Sequence, residues 1–155
     1  MSIYRRGAKG FTLVEIMIVV AIIALIAAIA IPNLLRSRHN ANETAAVGTV
    51  KSLMEAIESF RAAQTPPAYP ALLVDLSNAV PPYVPAALTG ATAAPGRQGY
   101  FYTYTRPTVN TYTLLAQPVT TQVTGTSSFF GNEAGVITVS RVSGTNATAA
   151  SPPLE

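Results

Sequence analysis

Gly10-Phe11-Thr12-Leu13-Val14-Glu15, followed by an unbroken apolar run over residues 16–31 and then by Pro32, decides how this chain is read. The stretch 11–31 has 21 residues, enough to cross a bilayer core of about 30 Å at roughly 1.5 Å per helical residue. Thirteen of these residues are Phe, Leu, Ile or Val. At about −0.3 to −0.6 kcal/mol each, they favour insertion by about 4 to 8 kcal/mol. Glu15 opposes this by at most about 3 kcal/mol, less near the interface. The segment therefore inserts despite its charge, and a carboxylate kept inside a membrane helix marks function rather than packing. Arg5, Arg6 and Lys9 precede the span with no acid among them. The positive-inside rule then keeps the N-terminus cytoplasmic and exports the remainder.

These residues resemble the processing motif of type IV prepilins and the related pseudopilins. In that family a short basic leader ends in Gly, Phe follows, a Glu stands four residues later, and an apolar helix with a Pro comes next. Here those positions are Gly10, Phe11, Glu15 and Pro32, and Ile31-Pro32-Asn33 also fits. The resemblance covers about the first 40 residues. It implies cleavage between Gly10 and Phe11 by a membrane prepilin peptidase and N-methylation of Phe11. It further implies assembly into a filament, with copies of the chain and other pilins, by an inner-membrane platform and its ATPase. The filament is extracellular in a pilus and periplasmic in a pseudopilus.

The chemistry of the motif is consistent with that implication. Gly10 offers no side chain to clash in a peptidase site. Cleavage removes three positive charges and creates an amine at Phe11, which in a low-dielectric setting needs a counter-charge. Glu15 is the only acid nearby. Within one chain the amine and Glu15 lie about one helical turn apart. Between chains, Glu15 would attract a neighbour's amine and set subunit register, which is the role the family implies. Three other readings compete. Ala28-Ile29-Ala30 matches the small-residue pattern before a signal-peptidase cut, which would release a soluble exported binding domain starting at Ile31. An unprocessed signal anchor is the second. The third keeps the pilin start and makes Glu15 an incidental interfacial residue.

Composition agrees with a subunit buried among its own kind: 155 residues, 49% hydrophobic and only 11% charged. The formal charge of +3 arises from the leader, and the chain after residue 10 carries 7 basic and 7 acidic side chains. No general nucleic-acid binding is expected from that balance. There is no Cys, whereas many pilins close a C-terminal loop with a disulfide. The C-terminal region must then be held by packing and subunit contacts.

Beyond the span, Val47, Val50, Met54, Ile57 and Phe60 share one helical face, with Leu53 beside them. This predicts an amphipathic helix over 32–63, stopped by Pro66-Pro67. Pro32 removes one helical hydrogen bond and is compatible with a hinge or a simple kink. Arg36, Arg38 and His39 follow the span as solvated groups near head groups. Residues 64–98 are rich in Pro, Ala and Gly, with a short helix expected over 71–79 and a turn over 84–88. From residue 99 the period becomes two. Tyr100, Tyr102 and Tyr104 alternate with Phe101, Thr103 and Thr105, predicting a strand. Further strands are expected at 111–117, 127–130 and 136–141, with a turn over 106–110 and a hairpin loop over 131–135. The antiparallel sheet occupies 99–142, and 143–155 reads as a mobile tail. The fold class is α+β: a long N-terminal helix, half membrane-spanning and half amphipathic, packed on a small antiparallel sheet of about four strands, as in type IV pilins.

No enzyme is expected. With no Cys, one His and scattered acids, there is no nucleophile–base pair and no phosphate-binding Gly-rich loop. No cofactor or metal is expected either, because Asp75, Asn132 and Glu133 are too few for a cation site. The strand aromatics read as sheet filling rather than a base-stacking platform or a path for charge. The Ser and Thr residues at 120–128 and 143–151 fit glycosylation or simple solvation equally. The major type II secretion pseudopilin usually carries an Asp-rich calcium loop and a Trp-Gly element. This chain has no Trp and few acids, which favours a pilin over a pseudopilin.

Overall fold

The computed structural model describes residues 10–92, 95–142 and 144–154. The leader 1–9, with Arg5, Arg6 and Lys9, lies outside the described residues, as do Ser143 and Glu155. Helix α1 spans Leu13–Ala63 and contains Pro32 without a break in its assignment. The chain falls into two compact units that divide between Ser37 and Arg38. The first holds the apolar half of α1. The second holds the rest of α1 and everything after it.

In the second unit four strands follow α1: β1 (Tyr100–Thr108), β2 (Thr111–Pro118), β3 (Ser128–Asn132) and β4 (Ile137–Ser140). They form an antiparallel meander in the order β1-β2-β3-β4. Alternation places Tyr100 and Tyr102 of β1, and Tyr112, Leu114 and Ala116 of β2, on the buried face. Against that face α1 presents Ala46, Val50, Leu53, Met54 and Ile57. Between helix and sheet, residues 64–98 make two short helices, α2 (Asp75–Asn78) and α3 (Ala86–Thr89). Asp75 accepts from Leu72 N at 2.8 Å, and Ser77 and Thr89 share a hydroxyl contact at 2.9 Å. Leu73, Leu76 and Val84 join the same core.

Three local expectations shift. β1 runs through Arg106-Pro107 to Thr108 instead of turning at Arg106, with its pairing register shifting between Thr105 and Thr108. The missing N–H of Pro107 is tolerated because β1 is an edge strand. Thr108 and Thr111 close the tightened turn through their hydroxyls, 2.8 Å apart. β3 continues through Gly131 and Asn132, which the sequence pattern assigns to a loop. Gly131 lies against α1, where an added Cβ would meet Met54 Sδ at 2.5 Å. Lastly, the tail lies along β4. Val139 N donates to Pro152 O, Leu154 N to Ile137 O and Thr138 Oγ1 to Thr148 O. Ala147 is buried, its N–H held by Ser128 Oγ at 2.7 Å.

One carboxylate ties the start of this unit to the sheet. Glu43 on α1 accepts from Thr126 N, Thr126 Oγ1 and Ser127 N at 2.9, 2.9 and 3.0 Å on one oxygen, and from Ser127 Oγ at 3.2 Å on the other. One residue earlier, Asn42 Nδ2 donates to Thr124 O at 2.8 Å. Tyr100 OH closes the cluster by donating to Ser127 O at 2.8 Å. Burial pushes the Glu43 carboxyl up, but the four donors outweigh it and hold it below the usual value of 4.5.

The buried tyrosines differ in how they are satisfied. The Tyr102 hydroxyl is buried with no hydrogen-bond partner among the described residues. Thr49 Oγ1, which donates to Ala45 O at 2.9 Å, stands beside it without completing a hydrogen bond of good geometry.

Glu43→Gln is expected to lower stability by about 1–2 kcal/mol at pH 7, read by thermal unfolding of the full chain in detergent. The folded carboxyl titrates below its ordinary value, so its stabilisation is complete above that value and is lost as pH falls through the lowered one. The gap between wild type and variant should therefore be constant near neutrality and close on acidification below pH 4.5. A gap that widens with acid would contradict the assignment. Tyr100→Phe should cost about 1 kcal/mol, whereas Tyr102→Phe should be neutral or stabilising by up to about 1 kcal/mol.

Candidate functional site

The apolar half of α1 is stable only if something outside its own chain covers it. Its large hydrophobic side chains, from Leu13 to Leu35, are 47–75% exposed. An 18-residue window near the N-terminus has a mean hydropathy of 3.1 and none of it is buried. Among the described residues, this is the one helix long and apolar enough to cross a membrane.

Thr12 starts the helix. Its Oγ1 accepts from Glu15 N at 3.2 Å and its carbonyl accepts from Ile16 N at 3.3 Å, the geometry of an N-cap residue. Thr12-Leu13-Val14-Glu15 is also a capping-box sequence, a local signal that identifies Thr12 as the cap. Glu15 stands in the first turn, where a negative charge suits the positive end of the helix. Among the described residues its carboxylate is exposed and has no ion-pair or hydrogen-bond partner. The described residues leave this charge without a partner.

Gly10 and Phe11 precede the helix, both exposed. A Cβ added at Gly10 would meet nothing within 4 Å. The folded chain thus gives no steric reason for a glycine there. Pro32 sits within α1, where its missing N–H leaves the Ala28 carbonyl without its helical donor. Further along, Val50, Met54 and Ile57 are buried on the sheet, while Val47 and Phe60 are half-buried at its margin. Phe60 meets Tyr83 edge to face at 5.7 Å. The structure therefore divides the sequence-derived positions into two groups. Gly10, Phe11 and Glu15 are exposed at the helix start, and the five residues from Val47 to Phe60 line the core.

The aromatic cluster is enclosed. Tyr69 and Tyr112 meet at 4.7 Å, and Tyr104 and Tyr112 at 6.0 Å. Tyr69 OH donates to Glu58 Oε1 at 2.7 Å, and Tyr104 OH to Pro70 O at 2.7 Å. Burial, then the Glu58 carboxylate, pushes the Tyr69 phenol up to about 12. Burial likewise raises Tyr104 and Tyr112. These phenols stay protonated at neutral pH and serve as packing and hydrogen-bond donors. His39 is half-buried on α1, and no group of three His, Cys, Asp or Glu side chains among the described residues is placed to hold a metal.

Residues 5–31 match the family model described as the prokaryotic N-terminal methylation motif. The chain is 46% identical over 56 residues to the type IV wide pilus major component PilA4 of Thermus thermophilus, covering 36% of this chain and 43% of that protein. It is 48% identical over 60 residues to the type IV major pilin protein PilA of Myxococcus xanthus, covering 39% and 27%. It is 37% identical over 57 residues to the type II secretion system core protein G of Pseudomonas aeruginosa, covering 37% and 40%. The matches thus span less than half the length of these relatives. No solved structure matches. The N-terminal third of this chain is thus similar to type IV pilins and to a type II secretion pseudopilin, and its fold, an apolar helix whose second half packs on an open four-stranded antiparallel sheet, is α+β and pilin-like in architecture.

Proposed function

We propose that this chain is the structural subunit of a type IV pilus-like filament. It enters the inner membrane as a prepilin with a cytoplasmic N-terminus. A prepilin peptidase cuts after Gly10 and Phe11 is N-methylated. An inner-membrane platform with its ATPase then moves the chain into a filament of its own copies, alone or with other pilins. The observation that carries this reading is the apolar half of α1, exposed along its whole length, with one carboxylate near its start that has no partner among the described residues.

The physical course follows from that helix. In the membrane, lipid covers the apolar side chains at a gain of about 4 to 8 kcal/mol. Leaving the membrane is possible only if equally apolar surface replaces the lipid, and neighbouring copies offer it. Glu15 then lies in a medium of low dielectric, where an unpaired charge costs several kcal/mol. The amine created at Phe11 of a neighbour compensates it and sets the register between chains. Pro32, which weakens the helix locally, is positioned to let the two halves of α1 adjust during entry.

A second reading, a pseudopilin of a type II secretion system, draws on the match to core protein G. Identity to that protein is 37%, against 46% and 48% for the two pilins. The pilin reading is therefore preferred.

The deciding measurement is the intact mass and N-terminal sequence of the chain in sheared surface material and in membranes. A chain starting at N-methylated Phe11 in sheared fibres is expected. The same start found only in membranes or periplasm would move the assignment to the pseudopilin. A start at Ile31 would remove the helix and end the filament reading altogether. Glu15→Ala should reduce filament yield at least about tenfold, corresponding to about 1.4 kcal/mol or more per subunit, while membrane insertion is unchanged by carbonate extraction. Normal filaments from Glu15→Ala would remove the register role. Gly10→Ala should accumulate uncut precursor with an unchanged melting temperature, because nothing in the fold contacts that Cβ.

A further inference from the structure

A groove of about 770 Å³ lies between α1 and the β3–β4 hairpin. Met54, Tyr112, Ile137 and Leu154 line its apolar side, with Val136 half-exposed at the rim. Its α1 side is charged, with Lys51, Glu55 and Glu58. Glu58 is engaged by Tyr69 OH and lies 3.9 Å from Arg61. Among the described residues the Glu55 carboxylate has no ion-pair or hydrogen-bond partner. The groove thus offers an apolar wall beside a carboxylate that meets no cation at contact distance among the described residues, with Lys51 one helical turn before it.

The same unit carries the complementary pair. Arg141 and Val142 follow β4 directly; Arg141 is exposed without an ion-pair partner among the described residues, and Val142 is 64% exposed. Arg141 stands four residues along the chain from Ile137, roughly 13 Å at strand rise. Each chain therefore carries acceptor and donor at separate places.

We propose that the groove is an interface between copies of this chain, and that its occupant is the Arg141-Val142 corner of a second copy. Val142 packs on Val136 and Ile137, and the Arg141 guanidinium meets Glu55. Groove and corner are different surfaces, so the contact is head-to-tail and does not close on itself by necessity. Repeated, it propagates an open helical array. The inference rests on the filament reading above and adds a specific contact between heads to the packing of the apolar helices.

The absence of Cys from the chain makes cross-linking a clean test. A guanidinium and a carboxylate in contact hold their Cα atoms roughly 10 Å apart, beyond the reach of a direct disulfide, so a bifunctional maleimide of about that span is the reagent. Full-length chains carrying Glu55→Cys and Arg141→Cys together, treated with it in membranes and in sheared fibres, should give a ladder of covalent oligomers on a denaturing gel. Each single variant should not. Filaments without a ladder would overturn the proposed interface while leaving the filament reading intact. A dimer with no higher species would replace the open contact with a closed one and also overturn it. A covalent adduct of Glu55→Cys alone with another protein would assign the groove to that protein instead. Absence of filaments from the unaltered chain would count against the filament reading, and the membrane cross-links would still decide the interface. Charge reversal gives an independent readout. Glu55→Arg and Arg141→Glu should each lower oligomer yield at least about fivefold through like-charge juxtaposition, and the double reversal should restore it to within about twofold. Equal yields from all three would overturn the proposal.

Discussion

A helix whose two halves obey different rules sets the terms for the rest of this protein. Within its own chain, the second half of α1 buries Val50, Leu53 and Ile57 completely. The first half buries none of its large apolar side chains. Hydrophobic burial is the main favourable term in folding, so the two halves gain their stability from different partners. One is stabilised by a sheet encoded a few dozen residues later. The other needs lipid or another copy. A monomer in water satisfies only the first.

Two glutamates on that helix show the same division in electrostatic terms. Glu43 receives four hydrogen bonds from Thr126 and Ser127, and these outweigh its desolvation. It spends its charge inside the chain, fixing the β2–β3 connection against α1. Glu15 receives none from any described side chain, and its neighbourhood is apolar. Identical side chains on one helix therefore differ in what surrounds them: Glu43 is a clamp within the chain, and Glu15 has no partner among the described residues.

Much of this was legible in the sequence, and the reason is period. An apolar run long enough for a bilayer, a face at spacings of three and four, and the alternation at Tyr100, Tyr102 and Tyr104 are all local patterns. They give α1, the sheet and the class. The Glu43 clamp joins residues 83 and 84 positions apart, and no local pattern records such a pair. Gly131 reads as a turn residue because glycine usually marks one. Its actual reason, the approach of Met54 from another element, exists only in the folded chain. Thr12 is legible as a cap through Thr12-Leu13-Val14-Glu15.

The lack of cysteine throws weight on how the C-terminal segment is held. A disulfide would fix this end by limiting the unfolded chain. Here the segment instead occupies the outer edge of β4. Pro152 O and Leu154 N bond to Val139 and Ile137, and Ser128 and Thr138 hold it from the side. An open strand edge invites pairing with other chains. Pro152 and Pro153, which have no N–H to offer, leave the covered edge a poor template for a further strand. The opposite edge is covered too, since Ala91 and Arg97 bond to Tyr102 and Tyr100 of β1. The outer side of β4 and the first part of β1 are thus paired within the chain, which leaves those stretches closed to a further strand.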